Sequence, residues 1–102
     1  MNGIDRTYLS TIFEADDLEE IIAEGIADIC SQLNELQRAA TREDATAVSD
    51  IAHRIKGVAA QLGAARVQAA AIALEEAARD QRPSFGPLVS SLGEAIDGLC
   101  EA

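Results

Sequence analysis

Aromatic residues are nearly missing from this 102-residue chain, which has one Tyr, two Phe and no Trp, although 48% of its residues are hydrophobic. Its core must be assembled from Ala, Leu, Ile and Val, and alanine, the strongest helix former and a poor strand residue, favours packed helices over a sheet. Basic residues are also few, with 8 Lys and Arg against 18 Asp and Glu and a formal net charge of −10. That balance repels a phosphate backbone and argues against a nucleic-acid partner. No apolar run approaches the roughly 20 residues of a membrane span. The N-terminus lacks the basic and apolar regions of a signal peptide, so a cytoplasmic protein with no membrane partner is expected. Cys30 and Cys100 stand far apart, with no Cys-x-x-Cys pair and no histidine nearby. This spacing fits neither a zinc site nor a thioredoxin-type motif, and the two read as small buried hydrophobes kept reduced. The length suits a single domain over residues 1–102.

Glycine and proline, 7 and 2 in number, are too sparse to break the chain often, and apolar residues recur at helical spacing almost throughout. A short helix is predicted from about Asp5 to Phe13, capped by Asp5 and lying across one end of the rest. Asp16 and Glu19 resemble a capping box opening a second helix to about Ala39, with Leu18, Ile21, Ile22, Ile26, Ile29, Leu33 and Leu36 as its stripe. Thr41, with Asp44 three residues on, is the predicted cap of a third helix that buries Val48, Ile51, Ala52, Ile55, Ala59 and Leu62 and ends at Gly63. A fourth, alanine-rich helix from about Ala64 turns Val67, Ala70, Ala71, Leu74 and Ala78 inward. A turn through Asp80–Ser84, containing Pro83, leads to a fifth helix capped by Ser84, with Pro87 in its first turn. Its apolar positions are Leu88, Val89, Leu92, Ile96 and Leu99. The expected fold is all-α, an up-down four-helix bundle with a short accessory N-terminal helix.

His53 is the only histidine and Lys56 the only lysine, and three residues apart on the third helix they are neighbours. At about 100° per residue, His53 points roughly 140° away from Val48 and outside the buried stripe. Its neighbours along the helix, Ser49, Asp50, Lys56, Gly57 and Ala60, are mostly small, so the ring stands on a low, open surface. A solvated histidine beside an ordinary lysine would look the same. Gly57 asks for a reason, because glycine inside a helix costs about 1 kcal/mol relative to alanine. Either it clears space beside the ring or it permits a tight contact with another helix.

The run Ala52-His53-Arg54-Ile55-Lys56-Gly57, followed by Leu62-Gly63-Ala64, Val67 and Leu74-Glu75, resembles the signature of the histidine-containing phosphotransfer domain family. The resemblance covers the central part of the chain. It implies that His53 is the phosphoacceptor, that Lys56 steadies the phosphoryl oxygens, and that Gly57 leaves room for an incoming receiver domain. These roles are chemically reasonable: a neutral imidazole is a competent nucleophile near neutral pH, and a nearby ammonium offsets charge developing on the transferring group. The family often holds Gln or Glu, hydrogen-bonded to the imidazole, at the position of Glu75. Glu75 could equally form an ion pair with Arg79, four residues on. Arg54 and Arg66 either add positive potential around His53 or are simply solvated.

The resulting expectation is a phosphorelay intermediate that carries a phosphoryl group between receiver domains of response regulators or hybrid histidine kinases. It would be a free-standing, monomeric carrier rather than an enzyme, since no Gly-rich nucleotide loop is visible. It would need no cofactor of its own, with magnesium expected on the partner receiver. A helical adaptor or inhibitor that binds a signalling partner without accepting phosphate is the alternative. A hydrolase using His53 as a base lacks a nucleophile and a carboxylate dyad. A chemotaxis-type phosphoacceptor domain has similar chemistry but is normally joined to its kinase.

Overall fold

The computed structural model describes residues 4–80 and 85–100, and among them runs α1 (Arg6–Ser10), α2 (Ala15–Thr41), α3 (Ala45–Leu62), α4 (Ala65–Arg79) and α5 (Gly86–Cys100), with no strand. All six apolar positions predicted for α3 are buried. α3 lies between α2 and α4, and α5 closes the ring by touching both α4 and α2. Each long helix thus covers its apolar side with two neighbours, as an up-down four-helix bundle requires. The molecule measures 44 × 20 × 19 Å, and its long axis is set by the 27 residues of α2, about 40 Å at 1.5 Å per residue. None of the described helices is long and apolar enough to cross a membrane.

Small residues set the close approach of α2 and α3, for a Cβ at Gly25 would lie 2.8 Å from Leu62 Cδ1. α1 is shorter than expected and closes one end of the bundle: the Asp5 amide donates to the Leu62 carbonyl at 3.3 Å, and Leu9 is fully buried. Asp5 caps it, accepting from the Tyr8 amide at 2.9 Å, and Arg6 pairs with Glu19 of α2. Tyr8 and Ile12 remain exposed.

Two predicted helix starts are corrected. α2 begins at Ala15 behind Glu14, which makes no side-chain capping bond, so the Asp16–Glu19 capping box does not open this helix. Thr41 belongs to the last turn of α2, where its hydroxyl donates to the Gln37 carbonyl at 2.9 Å. The cap of α3 is Asp44, accepting from the Ala47 amide at 3.1 Å.

α2 and α3 end in the same way. The Asp44 and Glu43 amides reach back to the Ala39 and Ala40 carbonyls, and the Ala64 and Gly63 amides reach back to Ala59 and Ala60. Each pair of bonds is a Schellman motif, which needs a left-handed residue at its turning point. Gly63 supplies it at φ 66 and Glu43 at φ 53.

In α4, Val67, Ala71, Leu74 and Ala78 are buried as expected and Ala70 is partly so, while Glu75 and Ala77 are buried in addition. Cys30 packs half-buried against the core. The predicted Pro83 turn and Ser84 cap, and the side chains of Asp16 and Cys100, lie outside the described residues.

Candidate functional site

α3 turns its apolar stripe to the core and so presents His53 on the opposite side, with 65% of the side chain exposed. Glu75 approaches from α4. The only buried charged residue among those described, it is 8% exposed in its side chain and sits beneath the ring. Its Oε2 lies 2.9 Å from His53 Nδ1, and its Oε1 accepts from Lys56 Nζ at 2.8 Å. Arg79 Nη2, one turn further along α4, forms an ion pair with Oε2 at 3.3 Å. The two partners offered for Glu75 by the sequence therefore coexist.

A carboxylate can be buried only where cations or donors replace water. Lys56 is the main reason the Glu75 carboxyl is held below its ordinary value. Burial opposes this, and the His53 hydrogen bond assists it. Glu75 is consequently ionised at neutral pH and acts only as an acceptor, so the proton of the facing imidazole nitrogen belongs on Nδ1. In the neutral ring the free lone pair is then on Nε2. The Lys56 side chain is 29% exposed, so it is partly open to solvent while its ammonium is bonded to Glu75.

His53 opens onto a shallow depression of 410 Å³ lined by Ser49, Asp50, His53, Arg54 and Glu75. Arg54 thus stands beside the ring, whereas Arg66, exposed in the first turn of α4, is not among the residues lining the depression. Gly57 is exposed, and a Cβ placed there would meet nothing within 4 Å. A tight helix contact therefore does not explain this glycine, and the surface beside His53 stays open. Ala60, one turn beyond Gly57, is exposed as well. Arg79, which its spacing alone offered merely as an ion-pair partner, is a member of the same cluster. Among the described residues, no group of three or more His, Cys, Asp and Glu side chains is placed to hold a metal ion.

The family model of the Hpt domain matches residues 18–102, a stretch that begins after α1 and contains every residue of the cluster. No curated protein matches the sequence. Among solved structures, the fold is similar to that of histidine-containing phosphotransfer protein B (HptB) from Pseudomonas aeruginosa PAO1, with a TM-score of 0.86, 24% identity, and coverage of 95% of this chain and 87% of that one. With a helical bundle, an exposed histidine and a family match over most of its length, the chain belongs to the Hpt domain family of histidine phosphotransfer proteins.

Proposed function

We propose that this protein is a phosphorelay intermediate in which His53 accepts a phosphoryl group from the phospho-aspartate of a receiver domain and returns it to the aspartate of another. The observation that carries this reading is an exposed imidazole held through Nδ1 by a buried, ionised Glu75. The Nε2 lone pair attacks phosphorus, the N–P bond forms as the bond to the aspartyl oxygen breaks, and the aspartate leaves as a carboxylate. The Nδ1 proton stays in place, and the positive charge gained by the ring faces Glu75. Transfer onward is the same step reversed, so the protein needs no acid or base of its own and acts as a carrier, not a catalyst.

Each surrounding residue has a place in that step. Lys56, one turn from His53 on α3 and bonded to the same Glu75 carboxylate, offsets the charge on the transferring oxygens. Gly57 and Ala60 keep the approach low, and Arg54 adds a positive charge on the side facing the partner. The protein acts as a monomeric single domain in the cytoplasm, with no cofactor of its own. Magnesium is a property of the receiver, whose carboxylates suit a hard cation.

A phosphotransfer profile tests the reading: the protein is mixed in turn with each phosphorylated receiver domain of the source organism. An acid-labile, alkali-stable phosphoryl group should appear on wild type and be absent from His53→Gln. If both proteins bind a receiver alike and neither is labelled, the adaptor reading replaces this one.

A further inference from the structure

Lys56 faces two demands that conflict. In the resting protein its ammonium is bonded to Glu75 Oε1 at 2.8 Å. During transfer it is needed on the other side of the ring, because Glu75 occupies Nδ1 and the phosphoryl group must build on Nε2. If Lys56 moves, a carboxylate that is 8% exposed loses its principal counter-cation, and the positive charge that the ring gains on phosphorylation faces only Oε2. The Nδ1–H of His53 remains bonded to Oε2, but Oε1 is left without a partner. A buried carboxylate oxygen left without a donor is unfavourable enough to oppose the movement.

Among the described residues, Arg79 is the one further cation in contact with Glu75. It reaches Oε2 from the following turn of the same helix, and with 68% of its side chain exposed it has room to shift. A guanidinium carries five donors in a planar fork, remains charged at any working pH, and can engage both oxygens of a carboxylate. While Lys56 is in place, solvent screens Arg79 and Lys56 dominates the electrostatics of Glu75. Only when Lys56 leaves does Arg79 matter fully. On its other side, Arg79 borders a second small depression shared with Thr46, Ser49 and Asp50. Asp50, the nearest competing carboxylate on α3, is exposed and can be satisfied by water.

We propose that Arg79 is a positioning residue for phosphotransfer: it holds the Glu75 carboxylate while Lys56 transfers its ammonium from Glu75 to the phosphoryl group on His53. The proposal rests on His53 being the phosphoacceptor. It assigns Arg79 no contact with the reacting atoms, so its effect must pass through Lys56.

The test uses the full chain and the receiver that transfers fastest in the profile described above. Arg79→Gln should slow transfer to His53 by roughly fivefold, the upper range for one exposed ion pair, and Arg79→Lys should recover most of the rate. With Lys56→Met as background, Arg79→Gln should change the rate by less than about 1.5-fold, since coupled residues are not additive. Because Lys56 is the sole lysine, its Nζ resonance is unique. That resonance should shift on phosphorylation in wild type and shift less in Arg79→Gln. An unchanged rate in Arg79→Gln, or equal slowing with and without Lys56, would overturn the role of Arg79 while leaving the carrier function intact. Failure of wild type to take label from any receiver would remove the phosphoacceptor reading itself.

Discussion

Replacing Glu75 with glutamine keeps the shape of the buried side chain and removes its charge. Glutamine offers one carbonyl oxygen where the carboxylate offers two: its amide group either faces the Lys56 ammonium, donor against donor, or faces His53 Nδ1, where only a neutral bond to the other ring tautomer replaces the charged one. One charge-assisted hydrogen bond is lost outright. A well-made bond of this kind contributes about 1.5–3 kcal/mol. Lys56 and His53 have side chains 29% and 65% exposed, so water recovers part of the loss, leaving a destabilisation of about 1–2 kcal/mol. In a domain of this size each 1 kcal/mol lowers Tm by about 4–8 °C. The variant should therefore melt roughly 4–16 °C below wild type at neutral pH, as followed by helical circular dichroism.

The pH dependence gives a sharper check. Folding holds the Glu75 carboxyl below its ordinary 4.5, chiefly through the Lys56 hydrogen bond. A group whose pKa is depressed on folding contributes its full stabilisation above the unfolded value and loses it as pH falls through the folded value. The gap between wild type and Glu75→Gln should stay level from neutral pH down to about pH 5 and close as the pH drops below about 4. No loss at neutral pH, or a gap that persists undiminished in acid, would refute the view that an ionised Glu75 ties α3 to α4.

Gly57→Ala should raise stability by about 0.5–1 kcal/mol in urea unfolding, because the added methyl meets nothing and leaves a helix interior better formed. Gly57→Phe should fold equally well yet slow transfer from a receiver by about tenfold or more, as small misplacements at a reacting centre are costly; an unchanged rate would show that the partner does not approach over Gly57. Glu43→Gly should stabilise by about 0.5–1 kcal/mol, since glycine removes the steric cost of a left-handed residue at φ 53. A loss of stability there would mean that the Glu43 side chain contributes more than its backbone strain removes.

How far the fold could be read beforehand differs from helix to helix for physical reasons. α3 was the most legible, because its six buried positions keep strict helical period and set His53 by elimination on the outer face. The helix starts were the least. Thr41 and Asp44 are both cap-type residues, and a threonine hydroxyl can either cap the next helix or bond back to the carbonyl four residues earlier. It does the latter, to Gln37, and no local pattern distinguishes the two. At Asp16 the residue types suit a capping box, but the helix already begins at Ala15, behind Glu14, which puts Asp16 inside its first turn. α4 is so rich in alanine that its two sides contrast weakly, and only contact with both α3 and α5 decides how wide its inner face is. The burial of Glu75 and Ala77 therefore has no signal in the pattern of α4 itself.

The burial of Glu75 also explains why its partner could not be chosen from spacing. Spacing alone makes an ion pair with Arg79 and a bond to His53 alternatives, because for an exposed carboxylate one partner suffices. An ionised carboxylate has two oxygens and about four acceptor sites, and inside a protein it needs most of them filled. Lys56, His53 and Arg79 fill them together. The His53 bond, which assists Lys56 in making this buried charge tolerable, also fixes the imidazole tautomer, and α3 cannot dock on α4 in this arrangement without also leaving the free lone pair of the neutral ring on Nε2.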